Sequence, residues 1–215
     1  MSVIVSPSLL AFPFSNADAA IKTIAESTAP WVHLDVMDGT FVPPITFGAQ
    51  FVADIRKNSE LFFDTHLMVE HPETHIDSFV KAGSNAITIH KEATVHLDRV
   101  LNYIKAQGVL SGVSIVPSTA ISEIEPILGI VDIVLVMSVN PGYGGQKFID
   151  YSLDKIKLLS DIRKEKGYFY KISVDGGVNE STSELVKKSG ADILVAGSAF
   201  ERASDKKEFV KKLSF

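Results

Sequence analysis

The sequence predicts an α/β protein of the (β/α)8 TIM-barrel class, and three observations carry that prediction. Short β-branched runs alternate with longer stretches of helical period from one end of the chain to the other. Most of the runs are continuously apolar, as strands are when both faces of a parallel sheet are covered. Eight of them can be counted, beginning at Val3, Trp31, Phe62, Ala86, Gly112, Asp132, Tyr170 and Asp192. Eight βα units in 215 residues suit a small closed barrel with a parallel eight-stranded core better than an open doubly wound sheet. No linker or shift of composition divides the chain, so residues 1–215 are read as one barrel domain.

The helices follow the same logic in order. From Ala17 to Thr28 the pattern sets Ala20, Ile21, Ile24 and Ala25 on one face. After the second strand comes Asp38 to Gly48, which reads as the longest non-helical insertion and, at a strand's carboxyl end, as active-site material. His71 and His75 flank a helix start at Pro72 and, like His96, are read as surface residues. Ser152 to Lys164 places Leu153, Ile156, Leu159 and Ile162 inward with Asp154, Lys155 and Lys157 outward. A helical turn is expected from Ser198, and Asp205 to Leu213 closes the chain, its Lys206, Lys207, Lys211 and Lys212 forming one solvated face.

Composition narrows the function classes. Hydrophobic residues make up 46% of the chain, enough for a sizeable core, and the net charge of −5 gives no basic field for nucleic acid. The N-terminal Met1-Ser2-Val3-Ile4-Val5-Ser6-Pro7 lacks a basic segment followed by a long apolar core, and no apolar run approaches the ~20 residues a membrane span needs. A cytoplasmic protein with neither membrane nor nucleic-acid partners is expected. Cysteine is absent, which leaves His and carboxylate as the available metal ligands.

Those ligands recur at strand ends. His33-Leu34-Asp35-Val36-Met37-Asp38-Gly39, Asp64-Thr65-His66-Leu67-Met68 and Val174-Asp175-Gly176-Gly177 each finish an apolar run with a metal-type residue. Side chains alternate along a strand, so His33, Asp35 and Met37 share one face, as do Asp64, His66 and Met68. His33, Asp35, His66 and Asp175 are therefore read as holding one divalent ion, with zinc foremost and iron(II), manganese or cobalt also compatible. Asp64 lies deeper than His66 and suits orienting an imidazole, and His90 at the fourth strand's end suits a supporting place. Asp38 has the wrong parity and precedes a glycine, which fits a turn. Met37, Met68 and Met137 all stand near strand ends, where they would form a dry hydrophobic collar.

Glycine-rich segments follow the last three strands. Asn140-Pro141-Gly142-Tyr143-Gly144-Gly145-Gln146 can turn successive backbone N–H groups toward an anion and can hinge as a lid. Asp175-Gly176-Gly177 and Ala196-Gly197-Ser198 occupy the usual phosphate seat of a barrel, after strands seven and eight. A sugar phosphate anchored there would extend its carbonyl toward the ion, where Asp35 and Asp175 could remove and return a proton on opposite faces.

Taken together the motifs resemble the ribulose-phosphate 3-epimerase family. The likeness runs through Ser6-Pro7-Ser8-Leu9-Leu10, HLDVMDG with Phe41-Val42-Pro43, Asp64 with His66-Leu67-Met68, Met137-Ser138-Val139 running into PGYGGQKF, then VDGG and AGSAF. It implies a (β/α)8 barrel acting on ketose phosphates in the pentose phosphate pathway, one divalent ion per subunit on His33, Asp35, His66 and Asp175, and acid/base roles for Asp35 and Asp175. It also implies substrate contacts from Ser8 and His66, phosphate contacts from Gly142, Tyr143, Gly144, Gly145, Gly176, Gly177, Gly197 and Ser198, and a homo-oligomer. Pro44, Ala49-Gln50 and Val116-Pro117 depart from the family pattern, and none is among the four ligands.

Three other readings compete. An allulose 6-phosphate 3-epimerase would use the same ligands on a longer sugar. The related barrel decarboxylases need Lys at position 37, where this chain has Met37. A non-catalytic sugar-phosphate-binding barrel would be expected to lack a ligand or an acid/base, and none is missing.

Overall fold

The computed structural model describes residues 3–215. Met1 and Ser2, which open the N-terminal segment read above as lacking an export signal, lie outside the described residues. Eight parallel strands form one sheet: β1 (Ile4–Pro7), β2 (Trp31–Met37), β3 (Phe62–Met68), β4 (Ala86–His90), β5 (Leu110–Ile115), β6 (Ile133–Met137), β7 (Lys171–Asp175) and β8 (Ile193–Ala196). Each strand from β2 to β8 pairs with its neighbour in sequence, and β1 pairs with β8. A parallel bridge between Ser8 and His33 brings the remaining edges together, so the sheet is a nearly closed barrel. Helices α1 (Ala17–Glu26), α2 (Ala49–Arg56), α3 (Ile76–Lys81), α4 (Leu97–Ala106), α5 (Ser152–Lys166), α6 (Glu180–Ser189), α7 (Ser198–Arg202) and α8 (Lys206–Ser214) surround it. None of them is long and apolar enough to cross a membrane.

Strand parity sorts the core. Outward residues such as Val32, Leu34, Phe63, Leu67, Ile87, Val134, Ile172 and Leu194 join the large cluster beneath the helices. Each such buried side chain contributes about 1.5–3 kcal/mol relative to exposure. Inward residues at the amino end form a separate plug of Trp31, Ala86, Ile133 and Ile193. In that plug Trp31 stacks on Phe62 with centroids 4.0 Å apart. The apolar floor closes the amino end, so the polar inward residues gather at the carboxyl end of the barrel.

Two expectations need correction. The β5 to β6 crossover carries no α-helix; the 3₁₀ turns Ile121–Glu123 and Glu125–Ile127 take its place. Pro117 and Pro126 interrupt the amide ladder an α-helix would need there, and Gly129 weakens helix propensity further. Residues 138–151, between β6 and α5, form a loop without helical turns that is longer than the Asp38 to Gly48 segment. Element ends shifted by one to two residues, as at β5, which begins at Leu110.

Candidate active site and metal centre

The register of β2 against β3 pairs His33 with Asp64, Asp35 with His66 and Met37 with Met68. Parity then turns all six side chains into the barrel. His33 Nδ1 lies 2.8 Å from Asp64 Oδ2. Asp64 makes the shorter contact with the ring and so places the proton on Nδ1, which leaves His33 Nε2 with its lone pair when the ring is neutral. That Nε2 is buried without a hydrogen-bond partner and stands 3.3 Å from Asp35 Oδ1. His66 Nδ1 lies 3.1 Å from the same oxygen. With Asp175 at the end of β7, the ligand atoms of His33, Asp35, His66 and Asp175 all fall within 4.8 Å of one another.

This group can hold a metal ion. Two imidazole nitrogens and two carboxylate oxygens suit a divalent first-row ion. The separations of Asp35 Oδ1 from His33 Nε2 and His66 Nδ1, 3.3 and 3.1 Å, are near the edges expected among ligands about 2.0–2.1 Å from one centre. The unpartnered Nε2 of His33, wholly buried, is an uncompensated polar atom of the kind a cation would satisfy.

The electrostatics point the same way. Burial opposes a charge on His33, yet Asp35 and Asp64 outweigh it and raise its pKa well above the ordinary value. Positive charge at this point, whether a proton or a metal ion, is favoured. Burial also works against ionised Asp35, but His33 and His66 overcome it and hold that carboxyl well below the usual range. Asp175 behaves oppositely: burial, reinforced by the charge of Asp35, pushes it up to about 7. Burial brings His66 down to about 4, leaving a neutral imidazole. Two carboxylates with opposed shifts are the usual mark of an acid and base pair.

A cavity of about 280 Å³ opens above this group. Ser8, Asp35 and Asp175 line its base, and Met37, Met68 and Met137 its walls. Met37 and Met68 pack with Val42, while Met137 packs with Leu135 and Val139, giving two apolar walls rather than one continuous ring. Gly142, Tyr143, Gly144 and Gly145 contribute one part of the rim, and Gly176, Gly177, Gly197 and Ser198 another. No Lys or Arg among the described residues lines it. An anion there would meet backbone N–H and hydroxyl groups rather than a cationic side chain. His33 and His66 lie beneath the lining, both fully buried.

Some contributors carried no clear signal in the sequence. Leu10, Val139 and Gln146 also line the cavity. Gln146 Nε2 donates to the carbonyls of Asn140 (2.7 Å) and Tyr143 (2.8 Å), bracing the loop between them. The Ser138 hydroxyl lies 2.8 Å from the carbonyl oxygen of Asp175 and 2.6 Å from that of Gly176, fixing the end of β7. Glu92 pairs with His90 from the turn beyond β4, where no strand alternation marks it. Asp38 accepts from the N–H groups of Thr40, Phe41 and Glu70, a turn role.

A family model described as the ribulose-phosphate 3 epimerase family matches residues 4–201. The chain belongs to that family. It is 47% identical over 199 residues to the ribulose-phosphate 3-epimerase of Treponema pallidum, covering 93% of this chain and 91% of that protein. To the Bacillus subtilis ribulose-phosphate 3-epimerase it is 44% identical, with 97% of both chains covered. Among solved structures, 3-keto-L-gulonate-6-phosphate decarboxylase from Vibrio cholerae superposes with a TM-score of 0.74 at 13% identity, over 99% of this chain and 96% of that one. The 3-hexulose-6-phosphate synthase of Salmonella typhimurium gives 0.71 at 17% identity, over 100% and 97%. Those likenesses show the barrel alone. Family membership rests on the closer relatives.

Proposed function

We propose that this epimerase-family chain is a ribulose-phosphate 3-epimerase, an isomerase interconverting D-ribulose 5-phosphate and D-xylulose 5-phosphate. One observation carries the reading: in a chain of this family, buried Asp35 and half-buried Asp175 reach one point from β2 and β7, beneath a glycine-rimmed cavity.

The sugar's phosphate end would sit against the backbone N–H groups of the rim, near Gly176, Gly177, Gly197 and Ser198, with Gly142 to Gly145 opposite. That anchoring turns carbons 2 and 3 toward the two carboxyls. A divalent ion, of which zinc is our choice, would be held by His33, Asp35, His66 and Asp175 and would supply Lewis-acid stabilisation of the charge developing on the substrate oxygens.

The chain's own groups move the proton. Asp35, held ionised, takes the proton from carbon 3, and the C–H electron pair passes into the enediolate. Asp175, which burial and the charge of Asp35 push up to about 7, delivers a proton to the opposite face of carbon 3, which inverts that centre. In the reverse direction the two exchange roles. Ser8 orients Asp35, whose Oδ2 accepts its hydroxyl at 2.6 Å. The methionine walls exclude water that would otherwise protonate the enediolate. The resemblance extends the reading to a cytoplasmic homo-oligomer of single-domain subunits with one ion each.

The test is a comparison of kcat/KM for ketopentose and ketohexose phosphates on the metal-loaded protein. Preference for ribulose 5-phosphate is expected, and preference for allulose 6-phosphate would overturn the substrate assignment.

A further inference from the structure

Resting on the metal reading above, we propose that His90 and Glu92 form a positioning relay that fixes the tautomer of His66 and so turns the Nδ1 lone pair of His66 toward the metal ion. His66 Nε2 and His90 Nε2 lie 2.8 Å apart, and both imidazoles are fully buried. One of the two nitrogens must donate to the other. Which one does so is decided further along the chain of contacts.

His90 Nδ1 faces Glu92 Oε2 at 3.2 Å. The other oxygen of Glu92 accepts from the backbone N–H of Val116 at 3.0 Å and from the hydroxyl of Thr119. A backbone N–H can only donate, so Glu92 is fixed as an acceptor at that end. Burial opposes its charge, but His90, Thr119 and Val116 prevail and hold the carboxyl at about 2. A carboxylate facing His90 Nδ1 requires a proton on that nitrogen. In a neutral ring His90 Nε2 is then an acceptor, and His66 Nε2–H donates to it. The lone pair of His66 is left on Nδ1, 3.1 Å from Asp35 Oδ1, a contact of two acceptors that a cation between them reconciles.

Each ligand imidazole is thus tied through its far nitrogen to a carboxylate. His33 reaches Asp64 directly, whereas His66 reaches Glu92 through His90. The intermediate ring is held in place by its neighbours: Phe41 packs on it with centroids 4.7 Å apart. Lys155 Nζ donates to the carbonyls of Val116 and Pro117, the latter at 2.6 Å, and steadies the loop that supplies the terminal donors.

The relay predicts an inversion in Glu92→Gln, which keeps the side chain's shape. The fixed N–H of Val116 claims the amide oxygen, so the NH₂ group faces His90 Nδ1 and demands a lone pair there. Both imidazoles must then reverse, and His66 carries its proton on Nδ1. Chelator competition for Zn2+ should show the Glu92→Gln protein binding about 10- to 100-fold more weakly than wild type. His90→Gln, whose amide can accept from His66 and donate to Glu92, should keep binding close to wild type. Imidazole 15N shifts of the wild type should place protons on His66 Nε2 and His90 Nδ1. Unchanged Zn2+ affinity in Glu92→Gln, or a proton on Nδ1 of wild-type His66, would overturn the relay. Should the wild type take up no Zn2+, the metal reading fails, and a 15N shift showing no proton on His90 Nδ1 would still overturn the relay.

Discussion

The hydroxyl of Ser8 donates to Oδ2 of Asp35 across 2.6 Å, while Oδ1 of the same carboxylate faces the imidazoles of His33 and His66. Ser8 therefore takes up one oxygen of Asp35 and leaves the other for the proposed ion. A hydrogen bond to a charged group contributes about 1.5–3 kcal/mol. Ser8→Ala should lower kcat/KM by roughly 10- to 100-fold. Steady-state assay together with metal analysis checks this, with metal content expected to stay near that of the wild type.

Asp64 accepts from His33 Nδ1 at 2.8 Å and leaves the unpartnered Nε2 facing the ligand group. Asp64→Asn can present an amide NH₂ to Nδ1, which would move the ring proton to Nε2 and remove a ligand lone pair. Zinc affinity should fall about 10- to 100-fold by chelator competition.

Much of this site is legible in the sequence alone, because strand parity is a local property. The spacings His33-x-Asp35 and Asp64-x-His66 put each pair on one face whatever surrounds them. What parity cannot supply is register, and it is register that sets Asp35 opposite His66 and His33 opposite Asp64. Glu92 is not legible in this way, because it lies in the 3₁₀ turn beyond β4, where no alternation marks a direction. The missing helix between β5 and β6 is hidden by isoleucines at 121, 124, 127 and 130, whose spacing mimics a helix face. Pro117, Pro126 and Gly129 outweigh that pattern.

Gly177 has φ +65°, and a Cβ there would come within 2.6 Å of the backbone nitrogen of Phe148. Neither the strain nor the clash can be relieved by turning a side chain. Gly177→Ala should destabilise the fold by about 1–3 kcal/mol or more. Gly144, where an added Cβ would meet no atom within 4 Å, should tolerate alanine within about 0.5 kcal/mol. Urea denaturation of the two variants provides the comparison.

Burial works to raise the pKa of Asp38, but N–H groups of Glu70, Thr40 and Phe41 outweigh that and lower it. A lowered folded-state value means the stabilisation is present above the unfolded pKa of about 3.9 and lost as pH falls through the folded value. Asp38→Asn should therefore be less stable than wild type at neutral pH, with the gap closing below about pH 4. Urea melts at a series of pH values would show it.

Exchange of the carbon 3 proton by Asp35 and Asp175 from opposite faces is the heart of the proposed reaction. Its most direct test is incubation of the zinc-loaded protein with ribulose 5-phosphate in deuterated water, followed by NMR. Deuterium at carbon 3 of newly formed xylulose 5-phosphate is expected, and Asp175→Asn should slow its formation by about 10²- to 10⁴-fold. Conversion without deuterium incorporation, or near-normal turnover by Asp175→Asn, would contradict that exchange.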